Sequence, residues 1–219
     1  SGTTGSPKGV MLSFKNILVN IKAIAVDLRI YHEGQRTLML LPLHHILPLL
    51  GTMVMPLNTG GTIAISPSMA SADILGTLQK SKITIIIGVP RLYAAIYKGI
   101  SDKIAQSPIA RSMFWLARKM NSRSFSNFIF KSVHQKFGGA IDYLVSGGAT
   151  LDQEVGNGFK TLGFEILEGY GMTEAAPMIS FTRPGRVKIG ATGLPLPGIK
   201  IDFVDGEIIA KGENIMQGY

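Results

Sequence analysis

The chain contains no cysteine, which excludes disulfides, thiolate nucleophiles and cysteine-type metal sites and is compatible with a reducing compartment; the expected location is the cytoplasm. Charge is scarce. Only 16% of the 219 residues are charged against 46% hydrophobic, a balance that supplies one sizeable core and excludes global disorder. Uninterrupted apolar runs are also missing: the most hydrophobic window, residues 37–57, is broken by Pro42, Pro48, Gly51 and Pro56 and carries His44 and His45, so it cannot form a regular membrane-spanning helix. The opening residues are polar and glycine-rich rather than basic and then apolar, so no signal peptide is read there. The chain reads as cut at both ends.

Acidic residues are the rarer sign, 14 against 22 lysines and arginines for a net charge of +8. That excess suits an anionic partner, whether nucleotide, CoA, nucleic acid or acidic membrane surface, without choosing among them. Basic residues such as Lys98, Lys103, Arg111, Arg118, Lys119 and Arg123 have few stacking aromatics beside them and form no recognisable nucleic-acid motif, so no nucleic-acid partner is expected.

Glycine is abundant, with 26 residues against an average usage near ~7%. Its clusters at 1–9, 147–148, 169–171 and 185–198 mark turns where backbone can approach a ligand. Short β-rich apolar runs at 37–41, 62–66, 83–89, 141–146 and 164–168 alternate with helical patterns at 13–28, 46–57, 71–80, 90–100, 109–121, 126–137 and 151–162. That alternation predicts an α/β fold, a mainly parallel sheet flanked by helices. After Glu174 prolines and glycines mix with short extended pieces, and Asp205-Gly206 signals a hairpin. The expected division is an α/β part over 1–180 and a small β-rich subdomain at the C-terminal end over 181–219.

Three strings carry chemistry. Residues 1–9 read Ser-Gly-Thr-Thr-Gly-Ser-Pro-Lys-Gly, three glycines, four hydroxyls and one lysine, a set of backbone and side-chain donors suited to polyphosphate. A Walker A loop needs Gly-Lys-Ser/Thr leading into a helix, and here proline precedes the lysine. Residues 143–149 end a predicted strand in Ser146, Gly147, Gly148 and Ala149, where α/β sheets leave room for a ligand, although a plain strand-to-helix turn reads the same way. Residues 168–174, Glu-Gly-Tyr-Gly-Met-Thr-Glu, crowd an aromatic face, glycines, a hydroxyl and carboxylates after another strand.

The string at 1–10 resembles the signature loop of the adenylate-forming superfamily, which includes acyl-CoA synthetases, firefly luciferase and peptide-synthetase adenylation domains. Segments at 41–45, 143–149, 168–174, 190–198 and 212–219 are similar to the family's in the same order. The resemblance implies ATP, Mg²⁺ and CoA as co-substrates and cofactor. It implies phosphate contacts from Ser1, Gly2, Thr3, Thr4, Gly5 and Lys8, and an adenine and acyl pocket lined by Ser146, Gly147, Gly148 and Ala149. Glu168, Gly169, Tyr170, Gly171, Met172 and Thr173 complete the nucleotide site, with Tyr170 stacked on adenine and Thr173 at phosphate. Lys8, His45 and Glu174 are the implied catalytic residues, Glu174 also holding Mg²⁺; on composition alone His44 and His45 read as structural histidines in an apolar run. The stretch 90–140 and the acidic Glu168 resemble the long-chain fatty acyl-CoA synthetases, which implies a fatty acid substrate. Aryl or amino-acid adenylation, and a non-catalytic adenylate-binding module, are the alternatives. The family's ribose-binding aspartate and catalytic lysine are not in this sequence, so this piece alone is expected to adenylate little. A helix at 109–121 carries Arg111, Trp115, Arg118 and Lys119 on one face, which fits either peripheral membrane contact or an ordinary surface helix.

Overall fold

The computed structural model describes residues 8–219. Helix α1 (Phe14–Ile21) begins at Ser13 because two backbone donors find side-chain partners there: Asn16 N–H donates to the Ser13 hydroxyl at 3.2 Å and Ser13 N–H to Asn16 Oδ1 at 2.7 Å, a capping box with asparagine in place of the usual Glu or Gln. The helix continues as a wider π-helical turn over Lys22–Asp27. Then follow β1 (Arg36–Met39), α2 (Ile46–Pro48), a π-helical stretch Leu49–Val54, α3 (Met55–Thr59), β2 (Thr62–Ile65), α4 (Ser71–Ser81) and β3 (Ile85–Gly88). Next come α5 (Pro90–Ala105), α6 (Pro108–Met120), α7 (Arg123–Ile129), α8 (Lys131–Lys136), β4 (Tyr143–Ser146), α9 (Gln153–Thr161) and β5 (Ile166–Gly171). The chain closes with β6 (Met178–Phe181), β7 (Leu194–Pro195), β8 (Lys200–Val204) and β9 (Glu207–Lys211).

One seven-stranded sheet has the order β2-β1-β3-β4-β5-β6-β7; β1 to β5 run parallel and β6 and β7 return antiparallel. Side chains alternate between faces along each strand. Ile85, Ile87, Val145 and Leu167 join α1 in one buried cluster, while Ile86, Leu144 and Ile166 join Leu78, Tyr93 and Phe159 from the helices in the other. Burial on both faces is why these strands read as continuous apolar runs.

The expected α/β fold with a mostly parallel sheet is therefore present, with four local differences. The helix expected over 126–137 is two helices meeting at Phe130, whose backbone leaves the helical region at φ −96°, ψ 27° while its buried ring packs at 6.1 Å from that of Phe114. Helix α5 runs past residue 100 because Ile100 and Ile104 keep its apolar face on the core. Strand β5 extends beyond Glu168 to Gly171 because β6 supplies it a second partner. The boundary expected near residue 180 falls inside β6, and the separate sheet is the β8–β9 hairpin alone. Its turn has φ 51° at Asp205 and 82° at Gly206, the paired left-handed residues of a type I′ turn.

Candidate functional site

Parallel strands end on one edge, and the strand order reverses between β1 and β3, which opens a crevice outside their carboxyl ends. The loop leaving β1 carries His44 and His45, both exposed, with ring centroids 4.2 Å apart. His45 occupies the cap position of α2 without a side-chain capping bond. Two residues later Leu47 lies on the backbone of Gly147: a Cβ there would sit 3.1 Å from Leu47 Cδ2 and 3.7 Å from the Gly169 carbonyl oxygen. Absence of a side chain at Gly147 thus lets the β1 loop, β4 and β5 converge.

Gly88 and Ser146, at the ends of β3 and β4, lie in register with Glu168 midway along β5. The Ser146 hydroxyl is buried with no hydrogen-bond partner among the described residues, an unusual state for a buried polar atom. Gly147 N–H donates to the Gly88 carbonyl at 3.2 Å, and Gly148, at φ 82°, turns the chain outward so that it and Ala149 are exposed. Glu168 is buried at 5% exposure; burial raises its carboxyl pKa, opposed by the Gly190 N–H, which donates to Oε1 at 3.0 Å. In this structure its carboxylate anchors the segment after β6.

At Tyr170 and Gly171 the ladder to β6 shifts register in a bulge, a device that re-aims side chains. Tyr170 is 37% exposed. Gly171 lies so close to the Pro177 carbonyl that a Cβ would overlap it, and Met172 N–H donates to that carbonyl at 2.8 Å. The following turn, Thr173–Ala175, leaves Thr173 and Glu174 partly exposed. Lys8 Nζ stands 4.8 Å from the centroid of the Tyr219 ring, and the Tyr219 hydroxyl donates to Glu174 Oε1 at 3.2 Å. Lys8 and Glu174, 166 positions apart by their numbers, thus meet on one tyrosine.

Ser1, Gly2, Thr3, Thr4 and Gly5 lie outside the described residues. Of the rest, the strand ends bring Ser146, Gly147, Glu168 and Gly169 together with Leu47, next to His45, while Lys8 and Glu174 form a second group. Asn16, Asn20, Asn214 and Tyr219 carried no role in the sequence. Asn16 and Asn20, buried at 3% and 0%, are four apart on α1, and Asn20 Nδ2 donates to the Ala175 and Met178 carbonyls at 3.3 and 3.1 Å while its Oδ1 accepts from Met178 N–H at 3.1 Å. Polar residues on the inward stripe of an amphipathic helix were the available signal. Among the described residues no three His, Asp or Glu side chains cluster to hold a metal. A single carboxylate fits Mg²⁺ carried in with a nucleotide, since that ion is commonly held by one or two carboxylates, water and substrate phosphates.

A crevice at the carboxyl edge and a glycine-lined strand end define an α/β domain with room for a ligand outside its strands. The chain belongs to the AMP-binding enzyme family, whose model matches residues 1–219. It is 28% identical over 239 residues to long-chain-fatty-acid–CoA ligase FadD15 of Mycobacterium bovis, covering 100% of this chain and 39% of that one. The chain thus spans well under half the length of that curated relative. Among solved structures, O-succinylbenzoate coenzyme A synthetase (MenE) from Bacillus subtilis in complex with ATP and magnesium ion is similar at TM-score 0.72 and 25% identity, over 100% of this chain and 41% of that one. A malonyl-CoA ligase with methylmalonyl-CoA and AMP bound is similar at TM-score 0.72 and 25% identity, over 100% and 43%.

Proposed function

We propose that the full-length protein activates a long-chain fatty acid with ATP and transfers the acyl group to CoA. One observation carries the choice of acid. A cavity of about 790 Å³ lies between the helical face of the sheet and α4, α5, α6 and α8, lined by apolar side chains including Leu40, Leu75, Leu92, Ile96, Met113 and Phe137. Small-molecule sites run to roughly 300–1,000 Å³, and each methylene buried contributes about 0.8 kcal/mol, so this space favours an alkyl chain over a small polar acid. Leu40 and Leu92 bring it to the carboxyl edge: Leu92 Cδ2 lies 2.9 Å from where a Gly88 Cβ would sit.

In this reading the acid's carboxylate oxygen attacks the α-phosphorus of ATP, the bond to the bridging oxygen breaks, and pyrophosphate leaves. The CoA thiol then displaces AMP from the acyl-adenylate. An anion must approach a polyanion, so charge placed in advance does most of the catalysis. Lys8 faces the leaving phosphates, Glu174 supplies a carboxylate oxygen to the metal, and His45 borders the substrate carboxylate. Mg²⁺ held at Glu174 would offset the phosphate charge. Acids are collected at an anionic bilayer in the same reading. Ile109, Leu116 and Met120 are exposed along the flank of α6 next to Met113 of the cavity, with Arg111, Arg118 and Lys119 nearby. The contrary use of that helix is also visible, since Lys119 Nζ covers Trp115 at 5.3 Å.

AMP formation by the full-length protein with ATP, Mg²⁺ and CoA, across acids from acetate to palmitate and benzoate, tests the reading. Activity should rise with chain length and collapse in Lys8→Ala and Glu174→Ala. Gly99→Phe, placed in open space at the cavity wall, should move the preference to shorter chains. Preference for benzoate, or an unaltered profile in Gly99→Phe, would refute the assignment of the cavity.

A further inference from the structure

The segment 213–219 performs none of the chemistry proposed above, yet it is bonded to both halves of the Lys8–Glu174 group. Asn16 Nδ2 donates to the Glu213 and Ile215 carbonyls at 2.7 and 2.8 Å. Asn214 Nδ2 donates to the carbonyls of Ala175 at 2.9 Å and Met178 at 3.2 Å, flanking the Glu174 turn. Met216 N–H donates to the Glu174 carbonyl at 2.8 Å, and Met11 and Gly218 pair as a short antiparallel bridge. Tyr219 is thereby delivered between the exit of the N-terminal loop and the Glu174 turn.

We propose that Tyr219 is a positioning residue for this site: its hydroxyl orients the Glu174 carboxylate and its ring seats the Lys8 ammonium. The inference rests on the roles of Lys8 and Glu174 given above. A carboxylate that presents one oxygen to Mg²⁺ keeps the other to accept a hydrogen bond, and such partners fix the ligand's direction. The Tyr219 hydroxyl, 3.2 Å from Oε1, supplies that bond. A lysine has many rotamers, and a ring face about 5 Å away narrows them.

Calorimetric titration of the full-length protein with ATP, in Mg²⁺ and in chelator, separates the two contacts. Tyr219→Phe keeps the ring and loses the hydroxyl; its affinity in Mg²⁺ should fall about tenfold with metal-free binding unchanged. Tyr219→Leu should also weaken metal-free binding, by about threefold. In turnover, Tyr219→Phe should require more Mg²⁺ for half-maximal rate and regain its kcat in excess Mg²⁺, which a merely structural role would not allow. Glu174→Gln tells the two ideas apart. If it retains the full Mg²⁺ advantage, the metal role of Glu174 falls; if it loses that advantage while Tyr219→Phe keeps it, Tyr219 has no positioning role. Loss of kcat in Tyr219→Phe that excess Mg²⁺ does not restore would also overturn the proposal.

Discussion

Replacing Asn20 with alanine should cost more than replacing Asn214, although the two side chains serve the same carbonyls. Both Nδ2 groups donate to Ala175 O and Met178 O, at 3.3 and 3.1 Å from Asn20 and 2.9 and 3.2 Å from Asn214. A carbonyl has two lone pairs, so either asparagine alone leaves both oxygens satisfied. Only Asn20 also accepts the buried Met178 N–H, at 3.1 Å, whereas Asn214 Oδ1 is buried with no partner among the described residues. Asn20→Ala therefore leaves one buried donor unmet, about 1–3 kcal/mol, and adds a small cavity, for a total of about 2–4 kcal/mol. Asn214→Ala leaves a similar cavity but strands no donor, and should cost about 1–2 kcal/mol. The double variant strips both carbonyls at once and should exceed the sum of the singles by about 1–3 kcal/mol. Native-state hydrogen exchange of the full-length protein, read on peptides covering residues 170–182, is the assay. A loss of 2 kcal/mol appears as roughly 30-fold faster local opening. Equal single-site costs, or a strictly additive double variant, would refute the shared-acceptor argument.

Other expected outcomes follow from the same contacts. Glu168 keeps its proton in the folded protein at pH values where the unfolded chain has lost it, because burial raises its pKa above the ordinary 4.5; the folded state then binds more protons, and stability falls as pH rises through that window. Glu168→Gln, which retains an acceptor for Gly190 N–H, should gain in melting temperature relative to the parent as pH is raised from about 4 towards 7, and a flat or inverted difference would contradict this sign. Gly171→Ala should destabilise by more than about 3 kcal/mol, because the added methyl overlaps a backbone oxygen that cannot rotate away. Gly76→Ala, inside α4 with nothing within 4 Å, should stabilise by up to about 1 kcal/mol. Denaturant midpoints of the two glycine variants measured side by side would show whether close approach or helix propensity governs these positions.

The parallel sheet was legible because strands buried on both faces leave apolar runs such as Ile85, Ile86 and Ile87, with proline at the start of the following helix. The strand-end position of Ser146 and Gly147 followed from the same pattern. Less legible was the end of β5, where Gly169, Tyr170 and Gly171 look like loop residues and become strand through the return of β6. Helix breaks were hidden too, since at Phe130 the apolar spacing continues while the backbone does not. Least visible was the asparagine network, because its hydrogen bonds join residues as far apart as Asn16 and Ile215, and no local window contains both.

That distance has a consequence for synthesis. The bonds that tie Asn16 of α1 to the segment 213–219 reach partners 197 and 199 residues further along the chain. Closing a loop of that length costs about 5 kcal/mol of chain entropy, a cost that the strands and helices between must already have offset. At translation rates of about 5–20 residues per second, Asn16 waits roughly ten seconds or more for the carbonyls it binds. The Asn16 bonds therefore form only after the strands and helices of residues 36–181 have been made.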